Sequence, residues 1–302
     1  MEYKKVSRHL GTDVEISVIT DDPNAERRIN GIFDFFVSFE QEFSRFLPSS
    51  KLSLLNKYKV LEVSERFIDL LKLSKDLHVK TDGYFNPLVD ISKIGYSNSF
   101  EENIFEKKET GSDLNLDSIM IRGRTIILKD DQHLDFGGIG KGYAVGLASE
   151  ILKIFGYDDF FINAGGDIYA SGFYMNRSKW VIGIENPFDG TLLATISLSD
   201  KAIATSGNNK RKWEIGGDKY HHILDPKTNS NNFEVVSVSI ISDKTYKSDA
   251  FTKAVYNMEA EKSIEFMEKN NLSGVIILAS GKMLHTKDMV LEYDLTLVGN
   301  IS

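Results

Sequence analysis

The segment from Leu134 to Gly172, LDFGGIGKGYAVGLASEILKIFGYDDFFINAGGDIYASG, constrains this chain more than any other. It reads as a strand running into a glycine-rich turn, a helix from about Lys141 to Phe155, and a second strand ending in two glycines and Asp167. Two such turns bring backbone amides, Lys141 and Asp167 around one crevice. Glycine lets a backbone approach a phosphate closely, and a helix N-terminus adds partial positive charge. Such a crevice suits a phosphorylated ligand together with a metal. The spacing excludes a Walker A loop, because Gly142 stands where a Ser or Thr must follow the lysine, and it excludes a Rossmann fingerprint. A tight strand-to-helix connection accounts for the same glycines, and a satisfied turn aspartate accounts for Asp167.

At 302 residues the chain fits one large domain or two modest ones. A net charge of −8 argues against a nucleic-acid binder, which shows a basic face. A few lysines can still make a local site for a small anion. The sequence has no cysteine, which excludes disulfides, thiolate catalysis, zinc–cysteine sites and a lipid-modified Cys. The N-terminal MEYKKVSRHLGTDVEISV lacks a signal-peptide core, and no apolar run reaches the roughly 18 residues of a membrane span. The expectation is a cytoplasmic protein, unless an export signal precedes these residues.

Alternation at Val14, Ile16 and Val18 predicts a strand, and Ile29, Ile32, Phe33, Phe36 and Val37 recur at helical spacing between Pro23 and Phe43. Asp22 is the expected N-cap there, with Pro23 at the first helical position. Ser64 is expected to cap a second helix that ends before Gly83. Further helices are predicted over Ser248–Met258 and Ala260–Asn270. Strands are predicted at Thr125–Leu128, Phe160–Asn163, Trp180–Glu185, Leu193–Leu198, Val235–Ile241 and Val275–Ala279. Several of these neighbour one another without a helix between them, which favours an α+β or mixed-sheet fold over a doubly wound one. Polar, aperiodic Ser97–Asn115 reads as an exposed connection between two lobes of one 1–302 unit.

Three more segments carry chemistry. Ala204-Thr205-Ser206-Gly207 offers two hydroxyls after a short apolar strand. Tyr220-His221-His222 places two rings on opposite faces of an extended segment, so only one faces a given site. A histidine beside a carboxylate acts as a general base near neutral pH, although a core-satisfied histidine fits the pattern equally. Ser248-Asp249 reads as a helix start with Asp249 in the first turn, and Thr252 and Lys253 follow on the same face.

Together, and in this order, these segments resemble the ApbE family, the FAD:protein FMN transferases. The likeness covers nearly the whole chain. It runs from His9-Leu10-Gly11-Thr12 through Phe43-Ser44-Arg45-Phe46, Leu55-Asn56 and Thr81-Asp82-Gly83-Tyr84-Phe85-Asn86-Pro87 to DFGGIGKGYA, INAGGDIYASG, AIATSG and YHHILDPKT. It implies an α+β, T-fold-related architecture with mixed or antiparallel sheets and packed helices. It implies that FAD is the substrate, with Mg²⁺, and that FMN is moved onto a Ser or Thr hydroxyl of a partner flavoprotein with release of AMP. His222 is implied as the catalytic base. Asp249 is implied as a catalytic metal ligand, and Gly140 and Thr252 as further ligands. Asn56, Phe85, Gly138, Lys141, Asn163, Gly165, Gly166, Asp167, Thr205 and Ser206 are implied at the flavin nucleotide.

The chain departs from the family at two points. Lys253 stands where the family carries a threonine four residues after the aspartate, so an ammonium can take the metal's place against Asp249 and the pyrophosphate. Asn86 replaces an aspartate. Two other readings keep the FAD site: a Mg-dependent FAD pyrophosphatase, and a non-catalytic FAD-binding protein.

Overall fold

The computed structural model of the chain describes residues 1–95, 113–209 and 211–298. In chain order, β1 (Glu2–His9) and β2 (Thr12–Ile19) form a hairpin, followed by α1 (Ala25–Phe43), α2 (Lys51–Tyr58), β3 (Val60–Glu62) and α3 (Glu65–Lys80). Next come β4 (Met120–Arg122), β5 (Thr125–Ile127), α4 (Gly140–Ile154), β6 (Phe160–Ala164) and β7 (Asp167–Ser171). The chain continues through β8 (Trp180–Glu185), β9 (Leu192–Leu198), β10 (Lys201–Gly207), β11 (Lys212–Ile215), β12 (Asp218–His221) and β13 (Val235–Ser242). It closes with α5 (Thr245–Asn257), α6 (Ala260–Lys269), β14 (Ser273–Leu278), β15 (Met283–His285), α7 (Asp288–Leu291) and β16 (Thr296–Leu297).

The organising element is an eight-stranded sheet in the order β1-β2-β6-β7-β10-β13-β14-β15. Every adjacent pair in it is antiparallel. The fold is therefore α+β, as expected. Both faces of the sheet are covered. On one face Ile16, Ile162, Val238, Ile240 and Ile276 join the core built with α1, α4 and α5. On the other, Ile168, Ala170, Ile203, Ile241, Val275 and Ile277 pack against Trp180, Ile182, Ile184 and Ile196 of the three-stranded sheet β16-β9-β8. This explains why all eight residues of β13 are buried while β8 strictly alternates. A strand covered on two sides loses its polar face, and a strand covered on one side keeps it.

Local chemistry sets the helix ends. Ser64 accepts the Phe67 N–H at 3.1 Å and caps α3, and Gly83 past its end takes φ +80°. α1 begins two residues later than the proline suggested. Asp22 instead forms a turn with Asn24 N–H at 2.9 Å and accepts the Tyr157 hydroxyl at 2.6 Å. α5 begins at Thr245, three residues before the expected start, so Asp249 lies in its second turn. The expected strand before the first glycine turn is also absent: residues 128–136 carry no strand. Leu134 is held there by both ends of the Asn56 amide, each bond 2.8 Å, and Asp135 N–H donates to the Pro87 carbonyl at 2.7 Å. β1, β7 and α2 were not predicted as elements, and β10 was expected only as the short apolar strand before Ala204. The expected 97–115 connection lies outside the described residues up to 112. Among the described residues, no helix is long and apolar enough to cross a membrane.

Candidate active site

α4 and α5 meet at glycines. A β-carbon on Gly142 would lie 2.5 Å from the Thr245 carbonyl oxygen, and one on Gly146 would lie 2.8 Å from Thr245 Oγ1. With hydrogen at both positions the helices close on each other. Asp249 then reaches across from α5 and accepts the Gly142 N–H of the first turn of α4 at 2.9 Å. Its carboxylate thus serves the N-terminus of the neighbouring helix, where negative charge is favoured.

Two lysine–aspartate pairs follow from this packing. Lys253, one turn after Asp249 on α5, donates to the Asp249 oxygen that Gly142 leaves open. Lys141 on α4 donates to Asp167 at the start of β7. The carboxylates are sealed, at 0% and 1% side-chain exposure, while the lysine side chains keep 18% and 25%. Both lysines line a cavity of about 690 Å³. The acids are therefore the backing and the ammonium groups the working surface. Asp167 is not a simple turn aspartate at the end of a strand. It lies instead between two central strands and is fully enclosed, with its second oxygen lacking a partner.

The same cavity is lined by Phe85, Gly138, Arg45, Asp135, Arg211 and His222, among others. A β-carbon on Gly138 would meet Phe85 Cε2 at a tight 3.2 Å and Lys253 Cγ at an ordinary 3.7 Å, so the glycine lets the Phe85 ring lie close against the turn. Arg45 bridges to Asp135 at 2.6 Å, and Asp135 also takes the Gly137 N–H at 2.7 Å, which fixes the glycine turn. The sequence reading passed over the roles of Arg45, Asp135 and Arg211. Arg45 and Asp135 sat inside quoted motifs, but the ion pair joining them spans 90 residues and leaves no local signature.

The two adjacent histidines do face opposite ways. His221 is fully buried, with Nε2 on the Asn232 carbonyl at 2.9 Å and its ring edge-on to Phe233 and Tyr256. Burial lowers its pKa to about 4. His222 lines the cavity, and its Nδ1 is buried without a partner. Burial, then the positive charges of Arg211 and Lys253, push its pKa well below the ordinary histidine value. It is a neutral imidazole at pH 7, able to accept a proton. Burial raises the Asp167 carboxyl, and the nearby Asp249 charge raises it further. Burial would raise Asp249 too, but Lys253, Lys141 and the Gly142 N–H outweigh it and hold the carboxyl low. Burial works to lower the Lys141 ammonium, yet Asp167 and Asp249 prevail and raise it.

The remaining residues singled out from the sequence are tied into the turns and strands around this surface, and Asn86 also lines the cavity. Gly140 opens α4 and is buried. Thr252 is fully buried, with its hydroxyl 2.7 Å from the Asp249 carbonyl and 2.6 Å from Ser206 Oγ. Thr205 Oγ1 is 2.8 Å from Ser239 Oγ, next in the ladder. Asn163 accepts the Gly166 N–H at 2.8 Å, and Gly165 and Gly166 take φ of +63° and +95° to make the turn into Asp167. Asn86 is satisfied by the Leu114 carbonyl and Leu88 N–H, each at 2.9 Å. Among the described residues, no group of three or more His, Asp or Glu is arranged to hold a metal ion.

The arrangement is similar to known proteins. An FAD:protein FMN transferase of Rhodobacter capsulatus is 30% identical over 203 residues, 64% of this chain and 39% of that longer protein. Proteins of the same name from Escherichia coli K12 and Treponema pallidum are 25% and 26% identical, over 82% and 89% of this chain and 75% and 82% of theirs. The ApbE protein of Thermotoga maritima superposes with a TM-score of 0.88 at 25% identity, covering 96% of this chain and 99% of the other. A flavin transferase ApbE from Vibrio cholerae shares the fold, with a TM-score of 0.82 at 20% identity over 96% and 99% of the two chains. The sequence model of the ApbE family matches residues 10–277, and the chain belongs to that family.

Proposed function

We propose that this chain is an FAD:protein FMN transferase, moving FMN from FAD onto a Ser or Thr hydroxyl of a partner flavoprotein and releasing AMP. The observation that carries this reading is the meeting of a neutral, unpartnered histidine and two backed ammonium groups in one cavity. At about 690 Å³ the cavity lies within the usual range for ligand sites. The names of the relatives give the reaction class.

The acceptor oxygen attacks the phosphorus on the FMN side of the pyrophosphate. The bond from that phosphorus to the bridging oxygen breaks, and AMP leaves. His222 takes the hydroxyl proton, since its depressed pKa keeps it unprotonated at neutral pH. Lys141 and Lys253 face the diphosphate and offset charge that develops on its oxygens. Phe85 and Gly138 shape the wall beside them.

Magnesium, which the family resemblance implies, does not fit the groups present. Both Asp249 oxygens already carry a donor, and one of those donors is a cation. Thr252 is turned into the core, bonded to Ser206 and to its own helix. Magnesium demands near-octahedral oxygen ligands, and an ammonium at the principal carboxylate opposes it.

The test is incubation with FAD and a flavoprotein fragment bearing a target Thr, followed by chromatography and mass spectrometry. AMP together with flavin fixed to the fragment supports the transferase. AMP with free FMN indicates a hydrolase, and intact bound FAD indicates a carrier.

A further inference from the structure

Lys253 is placed to be more than a surface lysine near a ligand. Its stem passes beside Gly138, and its ammonium ends on a carboxylate with no solvent exposure. That carboxylate is fixed from its other side by the N–H of Gly142, so it cannot swing away without uncapping α4. The ammonium is thereby held at the cavity wall where Lys141, backed by Asp167, also reaches in. A buried aspartate fixed between a helix N-terminus and a cation is how a protein positions a permanent positive charge at low reorganisation cost. Resting on the FAD reading above, we infer that Lys253 with Lys141 serves this chain as a built-in counter-cation for the FAD diphosphate, so that nucleotide binding and transfer need no divalent ion. The neighbouring atoms agree. Thr252, the hydroxyl between Asp249 and Lys253 on this helix, is taken up by Ser206 and the Asp249 carbonyl and contributes nothing to the cavity.

The test reads FAD affinity directly, by quenching of flavin fluorescence, in EDTA and in millimolar MgCl₂. The wild-type chain is expected to bind FAD equally in both, and calorimetry with MgCl₂ alone or with FAD present is expected to show no ion uptake. Lys253→Met is expected to weaken FAD binding about 10–100-fold, the usual scale for a charge-assisted contact, with no rescue by Mg²⁺. Lys253→Thr is expected to lose the same affinity in EDTA and to regain part of it in MgCl₂, because the Thr hydroxyl and a freed Asp249 oxygen then face one another. A wild-type affinity at least about 10-fold lower in EDTA than in MgCl₂ overturns the inference, as does unchanged binding in Lys253→Met. The wild-type comparison needs no variant to fold. Metal-independent, Lys253-dependent FAD binding without AMP release would overturn the transferase reading alone. AMP release that requires Mg²⁺ would overturn the cation role alone.

Discussion

The two faces of the large sheet obey different rules. Under β8 and β9 the packing is apolar: Trp180, Ile182, Ile184, Ala194, Ile196 and Leu198 meet Ile168, Ile203, Ile241 and Ile277, with the Trp180 indole N–H donating to the Ser171 carbonyl at 2.9 Å. At the α4–α5 end the interior holds Asp167, Asp249, Thr252, Ser206 and Ser248, with at most 5% exposure each. Burying such groups costs free energy unless each is paired, and a hydrophobic replacement is often no less stable. A chain that keeps them spends stability for chemistry. The apolar face has to be filled; the polar end has to be arranged.

Substitutions can separate the two. The largest effect is expected from His222→Ala, which should lower FMN transfer about 10²–10⁴-fold, the range for losing a general base, while thermal stability and FAD affinity stay near wild type. Equal loss of FAD binding and rate would instead make His222 part of the binding wall. Ile196→Ala on the apolar face should cost about 3 kcal/mol in denaturant unfolding and leave FAD affinity unchanged. A change in affinity there would mean that the two faces are coupled.

Acid should act through His221, whose ring packs edge-on to Tyr256 of α5. Its folded pKa of about 4 lies below that of an unfolded histidine. The unfolded chain therefore binds the extra proton between those values. The stability contributed by neutral His221 is complete above about pH 6.5 and is lost as pH falls toward 4, by about 3 kcal/mol at most. Urea titrations at stepped pH would show it, and His221→Asn should flatten the profile. The smallest effect is expected from Gly142→Ala. A β-carbon 2.5 Å from the Thr245 carbonyl must part α4 from α5, costing about 2 kcal/mol. Because Asp249 loses its capping N–H in the process, FAD affinity should fall as well, unlike in Ile196→Ala.

How much of this was legible differs between the same two regions. Alternation found β8, and a run of β-branched residues found β13, because burial on one or two faces writes itself directly into the sequence. The strands β7 and β10 were harder: β7 is five residues long and opens on Asp167, and β10 ends in the polar pair Thr205 and Ser206 before Gly207. β1 carries Lys4, Lys5 and Arg8 because it is an edge strand, and they pair with Glu15 and Asp13 of β2 and Glu26 of α1, so it lacks the apolar signal. At the site, glycine turns and the adjacent histidines marked where chemistry sits. They did not reveal partners. That Asp249 caps α4, that Lys253 closes on Asp249 while Lys141 closes on Asp167, and that Arg45 fixes Asp135 are facts of tertiary approach.

The order of strands has a consequence for how the molecule is made. β2 pairs with β6 in the register Val14↔Ala164, a separation of 150 residues. The first hairpin to leave the ribosome must therefore wait for its neighbour, roughly 8–30 s at ordinary rates of synthesis. The cavity takes longer still, since its wall is drawn from Arg45, Lys141, His222 and Lys253. On the proposed function, nucleotide capture belongs to the last stage of folding, because a nascent chain cut short before α5 would hold six of the eight strands of the large sheet but lack Asp249 and Lys253.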